Sequence, residues 1–174
     1  ILDFLPDSVD KLNVTMGCSL RNTPLFSLFD SLFILHINAL MFNRGDGVFY
    51  YADLFRVCEH PLFKNAKNEA ELIKLKENLK RKNLSFPSKK VILSSCENTF
   101  SEWLNSIVDF DPKNPFGLID NCLLIITLVK ENLINKNDRL ELEQLYAFTK
   151  LFHKIKSLQK KYGFIKELKT IHKL

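Results

Sequence analysis

The chain has 174 residues, 46% of them hydrophobic, which is enough for one sizeable core and a single domain with at most a small annex. Its formal charge of +5 is unevenly spread. Residues 64–90 carry nine Lys/Arg against three Glu, and residues 150–174 carry eight Lys against one Glu, so the remainder is net acidic by eight charges. Two basic segments on an acidic body suit a polyanionic surface, with nucleic acid the commonest such partner, and solvated lysine-rich helix faces give the same pattern.

A membrane is not expected as a partner. The uncharged apolar run at residues 121–129 is closed off by Asp120 and Lys130, well short of the roughly 20 residues that span a bilayer. Residues 1–5 lack the basic flank and cleavage site of a signal peptide, and without an initiating methionine the chain reads as a piece of something larger. Cys18, Cys58, Cys96 and Cys122 are far apart and lie in or beside apolar segments, the usual pattern of reduced core thiols, so a cytoplasmic setting is expected.

In chain order, the first expected element is a strand at residues 11–16, where Leu12, Val14 and Met16 alternate with Asn13 and Thr15 before Gly17 ends it. Thr23-Pro24 then starts a helix, threonine as N-cap and proline at the first helical position, where its missing N–H costs nothing. That helix is expected over residues 25–41, with Leu28, Leu32, Leu35 and Ala39 on one face and Phe29, Phe33 and Ile37 beside it, apolar around much of its circumference. "NRGDG" at residues 43–47 is a loop, and its Arg-Gly-Asp is treated as a turn. A short helix follows over residues 51–59, ended at His60 by Pro61.

Residues 68–82 repeat Leu72, Leu75 and Leu79 at helical spacing, with Lys67, Lys74 and Arg81 a heptad apart on another face: an amphipathic helix with a basic stripe. "SFPSKKVILSS" is extended or irregular around Pro87, and residues 89–94 are expected as a short strand or the start of a loop. A helix at residues 98–109 is built on Phe100, Trp103, Leu104, Ile107 and Val108. Asn114-Pro115 repeats the capped start and leads a nearly all-apolar helix to residue 133, expected at the centre of the core. The last long helix, residues 138–161, has Leu145, Phe148, Phe152 and Ile155 as its apolar seam and Lys150, Lys154 and Lys161 facing outward. Gly163 breaks or caps it before a final helix over residues 164–173. The fold class is therefore mainly α, a multi-helix bundle with one N-terminal strand at its margin.

Catalytic and metal chemistry find little support in these residue patterns. His36, His60, His153 and His172 pair with no cysteine or histidine at zinc-site intervals, and no glycine falls in a G-x-x-x-x-G-K phosphate loop, so no metal or other cofactor is expected in this chain. Pro6-Asp7 and Glu167-Leu168-Lys169 match the "PD" and "E-x-K" of a metal-dependent nuclease fold. That fold needs its carboxylates on neighbouring strands, whereas here the E-x-K sits in a helical tail and the PD precedes a turn. No Ser or Cys occupies a strand-to-helix elbow with a paired His. The corner at Arg21, Asn22 and Thr23 gathers a guanidinium, an amide, a hydroxyl and backbone N–H groups at a helix start, where a phosphate fits. A capping turn is the simpler reading.

Two stretches, "LNVTMGCSLRNTPLFSLFDSLFILH" and "YYADLFRVCEHPLF", resemble the C-terminal half of AddB-type, helicase-like proteins of bacterial double-strand-break repair. In that family a strand reading approximately "vNVTMGyPLknTPlysLf" leads into a helical insertion, followed by a "yy.d.l..l.HP" segment, and residues 1–6 match its "pvL.sLP" lead-in. The resemblance covers residues 1–64, and beyond them extends only to helical, lysine-rich character. Cys18 stands where the family has an aromatic residue and Ser19 where it has proline, so the turn differs in detail. The resemblance implies that residues 1–18 end a helicase-core subdomain and residues 19–174 form the helical insertion called the 2B-type region. It further implies a bacterial parent whose nucleotide loop lies upstream and whose PD-(D/E)XK nuclease residues lie downstream, with a motor that is inactivated in many members.

On this reading the chain is a non-catalytic helical piece of such a repair protein that contacts DNA backbone nonspecifically or packs on neighbouring domains and a helicase partner subunit. The expected contacts are Arg21, Asn22 and Thr23 at the corner, Lys67, Lys74, Lys80, Arg81 and Lys82 in the first basic patch, and Lys150, Lys154, Lys160 and Lys161 in the second. Tyr50 and Tyr51 have faces that stack on bases, but they are expected in the core. The alternative is a protein interaction module that docks its basic helices on an acidic subunit. A third reading, a small nuclease using the tail E-x-K, depends on Glu167.

Overall fold

A computed structural model of the chain describes residues 19–42, 47–63, 66–96, 98–111, 114–134, 139–163 and 167–173. The strand expected at residues 11–16, Pro6-Asp7, Cys18 and the Arg-Gly-Asp loop lie outside the described residues. Among those described, the fold is a mainly α, multi-helix bundle of eight helices: α1 (Pro24–Phe42), α2 (Tyr51–Cys58), α3 (Ala66–Arg81), α4 (Lys89–Leu93), α5 (Asn98–Val108), α6 (Gly117–Ile134), α7 (Arg139–Tyr162) and α8 (Leu168–Lys173).

A single 3-10 turn, Leu20–Asn22, leads into α1. Thr23 caps the helix as expected: its hydroxyl donates to the Leu20 carbonyl at 2.7 Å and accepts the Phe26 N–H at 3.2 Å. Helix α1 is long and apolar enough by length and composition to cross a membrane. Here one side of it belongs to the core, with Leu25, Leu28, Leu32, Leu35 and His36 all buried. It packs on α2 and α8, and its Phe29 ring lies 5.3 and 5.0 Å from Phe148 and Phe152 of α7. The main seam of the bundle joins α6 to α7, and α5 packs on α6. The expected α7 stripe of Leu145, Phe148, Phe152 and Ile155 is buried along it.

Three elements differ from the sequence expectation, one of them the final helix, which begins at Leu168 rather than at residue 164, residue 167 being non-helical. Residues 89–94 form neither a strand nor the start of a loop but the short helix α4. The β-like geometry stops one residue earlier, at an isolated antiparallel bridge between Val48 and Ser88, after which Ile92 N–H turns back to the Ser88 carbonyl at 3.0 Å. Helix α6 starts at Gly117 rather than at residue 115, because the chain first makes a turn in which Gly117 N–H donates to the Asn114 carbonyl at 2.9 Å. Gly163 ends α7 at φ +63°, left-handed backbone that a side chain disfavours, and its N–H closes on the Gln159 carbonyl at 2.8 Å.

Candidate nucleic-acid interface

The first basic segment lies on α3. Leu72, Leu75 and Leu79 bury one face of that helix, so its lysines are pushed to the two flanks. Lys76 and Lys80, four residues apart, share the flank that faces α2. Together with Tyr51, Ala52, Phe55, Arg56 and Glu59 of α2 they line a groove of about 600 Å³, continued by Leu79 and by residues 83–85 just past α3. Phe55, Leu79 and Leu84 supply its apolar surface, while Arg56, Lys76 and Lys80 bring three cations to it from two helices.

These cations are held differently. Arg56 Nη1 lies 3.4 Å from Oδ1 of Asp53, a buried carboxylate, and the guanidinium itself is exposed. Lys76 pairs with Glu59 across the groove and its ammonium stands 5.1 Å from the centre of the Phe55 ring. Lys80 is exposed and forms no ion pair among the described residues.

The heptad stripe falls on the other flank. Lys74 and Arg81 line a smaller hollow of about 420 Å³ with Glu77, Asn78 and Ser95, and Lys74 is tied to Glu71 at 2.7 Å. Lys82 is exposed just past the helix, and Lys67 falls in the first turn of α3 with its side chain outside the described set. Of the described side chains in the expected first patch, only Lys80 thus reaches the α2–α3 groove. Arg56 and Lys76, which the sequence reading passed over, join it there. The signal for Lys76 was its i, i+4 spacing to Lys80, which the heptad count of Lys67, Lys74 and Arg81 obscured.

The second basic segment is seated on other neighbours. Helix α3 meets α2 through Lys76, which reaches Glu59 and the Phe55 ring, and meets the turn after α4 where Asn78 donates to Ser95 Oγ at 2.8 Å; α7 packs through α6 and α1. Lys150, Lys154, Lys160 and Lys161 are all exposed on α7. Lys150 stands 4.5 Å from the Tyr146 ring centre and Lys161 5.1 Å from that of Tyr162.

The corner is divided as well. Thr23 is buried and its hydroxyl is spent on the cap, so it is not presented to a ligand. Asn22 is exposed, and its backbone N–H closes on Ser19 at 3.1 Å. Arg21 stands at a separate, largely apolar pocket of about 390 Å³ between α1, α7 and α8.

Tyr51, expected in the core, is 42% exposed at the head of the α2–α3 groove; Tyr50 is half-buried behind it. His36 and His60 are both held inside the fold. His36 is fully buried, donates through Nε2 to the Ile107 carbonyl at 2.7 Å, and is driven down to a pKa of about 4 by burial, against a smaller upward pull from that bond. His60 accepts the Leu62 N–H at Nδ1, and burial lowers its pKa too. Cys58, Cys96 and Cys122 are free thiols. Burial raises the first and last strongly, and burial with the nearby Glu71 pushes Cys96 up to about 11, so none is poised as a thiolate. Glu167, just before α8, and Lys169, in its first turn, are exposed on either side of buried Leu168, and neither lies on a strand. Among the described residues no three His, Cys, Asp or Glu side chains converge as metal ligands.

No protein-family model matches the chain, and no curated protein or solved structure is significantly similar to it.

Proposed function

We propose that this chain is the helical insertion of an AddB-type DNA-repair protein and that its role is contact rather than chemistry: it holds a nucleic-acid backbone, without reading sequence, in the groove between α2 and α3. The observation that carries this reading is the convergence of Arg56, Lys76 and Lys80 from two helices on one groove. Cations in a groove neutralise successive phosphates, and released counterions supply the binding free energy. The family assignment rests on the sequence resemblance of residues 1–64, a region that includes all of α2.

The separate seating of α3 and α7 favours a second reading, in which the basic helices dock on an acidic protein subunit. Fluorescence anisotropy of the chain with labelled DNA across a salt series separates the two. Backbone contact gives binding that weakens linearly in log–log with salt and falls when Arg56 and Lys80 are replaced by alanine. Absence of binding at low salt overturns the DNA reading and leaves the protein-docking one.

A further inference from the structure

Groove and aromatic residues meet at one place, the N-terminus of α2. Tyr51 is the first residue of that helix and lines the groove beside Arg56 and Lys80. It is fixed by its backbone: Tyr51 N–H donates to the Ser85 carbonyl at 3.0 Å and Phe49 N–H to the Pro87 carbonyl at 3.1 Å, so the start of α2 is stitched to residues 85–88. Behind it stands a cluster of rings. Tyr50 lies 5.1 Å from Tyr51 and 5.4 Å from Phe86, and Phe42 lies 5.3 Å from Phe86.

Two of these rings stay in water, Tyr51 at 42% and Phe42 at 46% exposure. Among the described residues the one ring against Tyr51 is Tyr50, and it meets Tyr51 at 73°. None of the described rings therefore lies flat on Tyr51, and a planar ligand has a face to stack on. A supported aromatic ring at the head of a cationic groove is the arrangement that holds unpaired nucleotides, with phosphates on the cations and a base on the ring. Duplex DNA keeps its base faces stacked inward and offers such a ring nothing.

We infer that the groove takes single-stranded nucleic acid, with one base stacked on Tyr51 and the adjoining backbone on Arg56 and Lys80. This rests on the reading of the α2–α3 groove as a nucleic-acid contact and adds the form of nucleic acid to it. The pocket at Arg21 is not invoked, since a single guanidinium beside an apolar hollow does not specify an occupant.

The test compares three labelled probes of equal length at matched salt: an oligothymidylate strand, the same strand with abasic sugars, and a duplex. The intact chain is expected to bind the oligothymidylate most tightly. Tyr51→Ala should weaken that binding about tenfold while leaving the abasic strand and duplex within twofold, and Tyr51→Phe should retain it. Circular dichroism of each variant checks that the helices are intact. If the intact chain binds the abasic strand or the duplex as well as oligothymidylate, or Tyr51→Ala costs the oligothymidylate less than twofold, the stacking inference is overturned and backbone contact stands. If none of the three probes binds at low salt, the nucleic-acid reading of the groove falls and the inference with it.

Discussion

Asn38 of α1 donates a 2.8 Å hydrogen bond from Nδ2 to Oδ2 of Asp53 in α2, and Asp53 presents its other oxygen to Arg56 at 3.4 Å. One buried carboxylate thus fastens two helices and positions a cation of the groove. Asp53→Ala leaves the Asn38 amide without its acceptor and should cost about 1–3 kcal/mol, seen as a lower urea midpoint. Asp53→Asn keeps an acceptor for Asn38 and removes the anion beside Arg56. It should cost under about 1 kcal/mol and tighten DNA binding at low salt by roughly twofold. Equal destabilisation by the two variants would show that the charge, not the hydrogen bond, holds α1 to α2.

The two flanks of α3 and the outward face of α7 make separable contributions to any polyanion contact. Arg56→Ala and Lys80→Ala should each reduce the log–log salt slope of DNA binding by about one, the signature of one lost phosphate contact. Lys154→Ala with Lys161→Ala, on a helix seated against α6 and α1, should leave that slope within about half a unit and weaken binding only through the lower net charge. An α7 double variant that lowers the slope by two would place the contact on α7 instead.

Much of this fold can be read from sequence because its helices carry strong periodic signals. The leucine spacing of α3, the aromatic seam of α7 and the Thr23-Pro24 start of α1 each state a buried face or a cap in purely local terms, and each is found as expected. The misses are non-local. Residues 89–94 carry a β-branched pattern, but Val48 pairs with Ser88 and the chain then turns into α4, a choice set by a segment forty residues away. The groove was legible only in part. Lys80 is found from its basic stretch and Lys76 stands at i, i+4 spacing from it, whereas Arg56 joins them because α2 lies beside α3, which no spacing within either helix reveals. Tyr51 looks like a core residue from composition, and its position at the first turn of α2 leaves it in water.

His36 makes the bundle sensitive to acid. Burial favours the neutral ring, whose Nε2–H is bonded to the Ile107 carbonyl, and holds its pKa near 4 in the folded chain against 6.5 for a free histidine. Since the folded value lies below the unfolded one, stability is complete above pH 6.5 and is lost as the pH falls from 6.5 towards 4, where the unfolded chain takes up a proton that the folded chain refuses. At pH 5 the loss is about 2 kcal/mol from this residue, and the depressed His60 adds to it in the same direction. Urea unfolding at pH 7 and pH 5 checks this. His36→Phe should flatten the dependence while lowering stability at pH 7, because the Ile107 carbonyl loses its donor. A midpoint equal at the two pH values would mean that the folded ring protonates freely.

Gly163 separates backbone strain from steric conflict at the end of α7. Its φ of +63° is left-handed, yet a Cβ built there meets nothing within 4 Å. Gly163→Ala therefore carries only the conformational penalty, about 1 kcal/mol, which in a domain of this size lowers Tm by roughly 2–4 °C. Gly163→Asn should cost less than the alanine variant although its side chain is larger, since asparagine enters this region more readily. The order glycine, asparagine, alanine in thermal stability is the expected result from differential scanning calorimetry. An order following side-chain size would mean that space rather than backbone geometry governs the position.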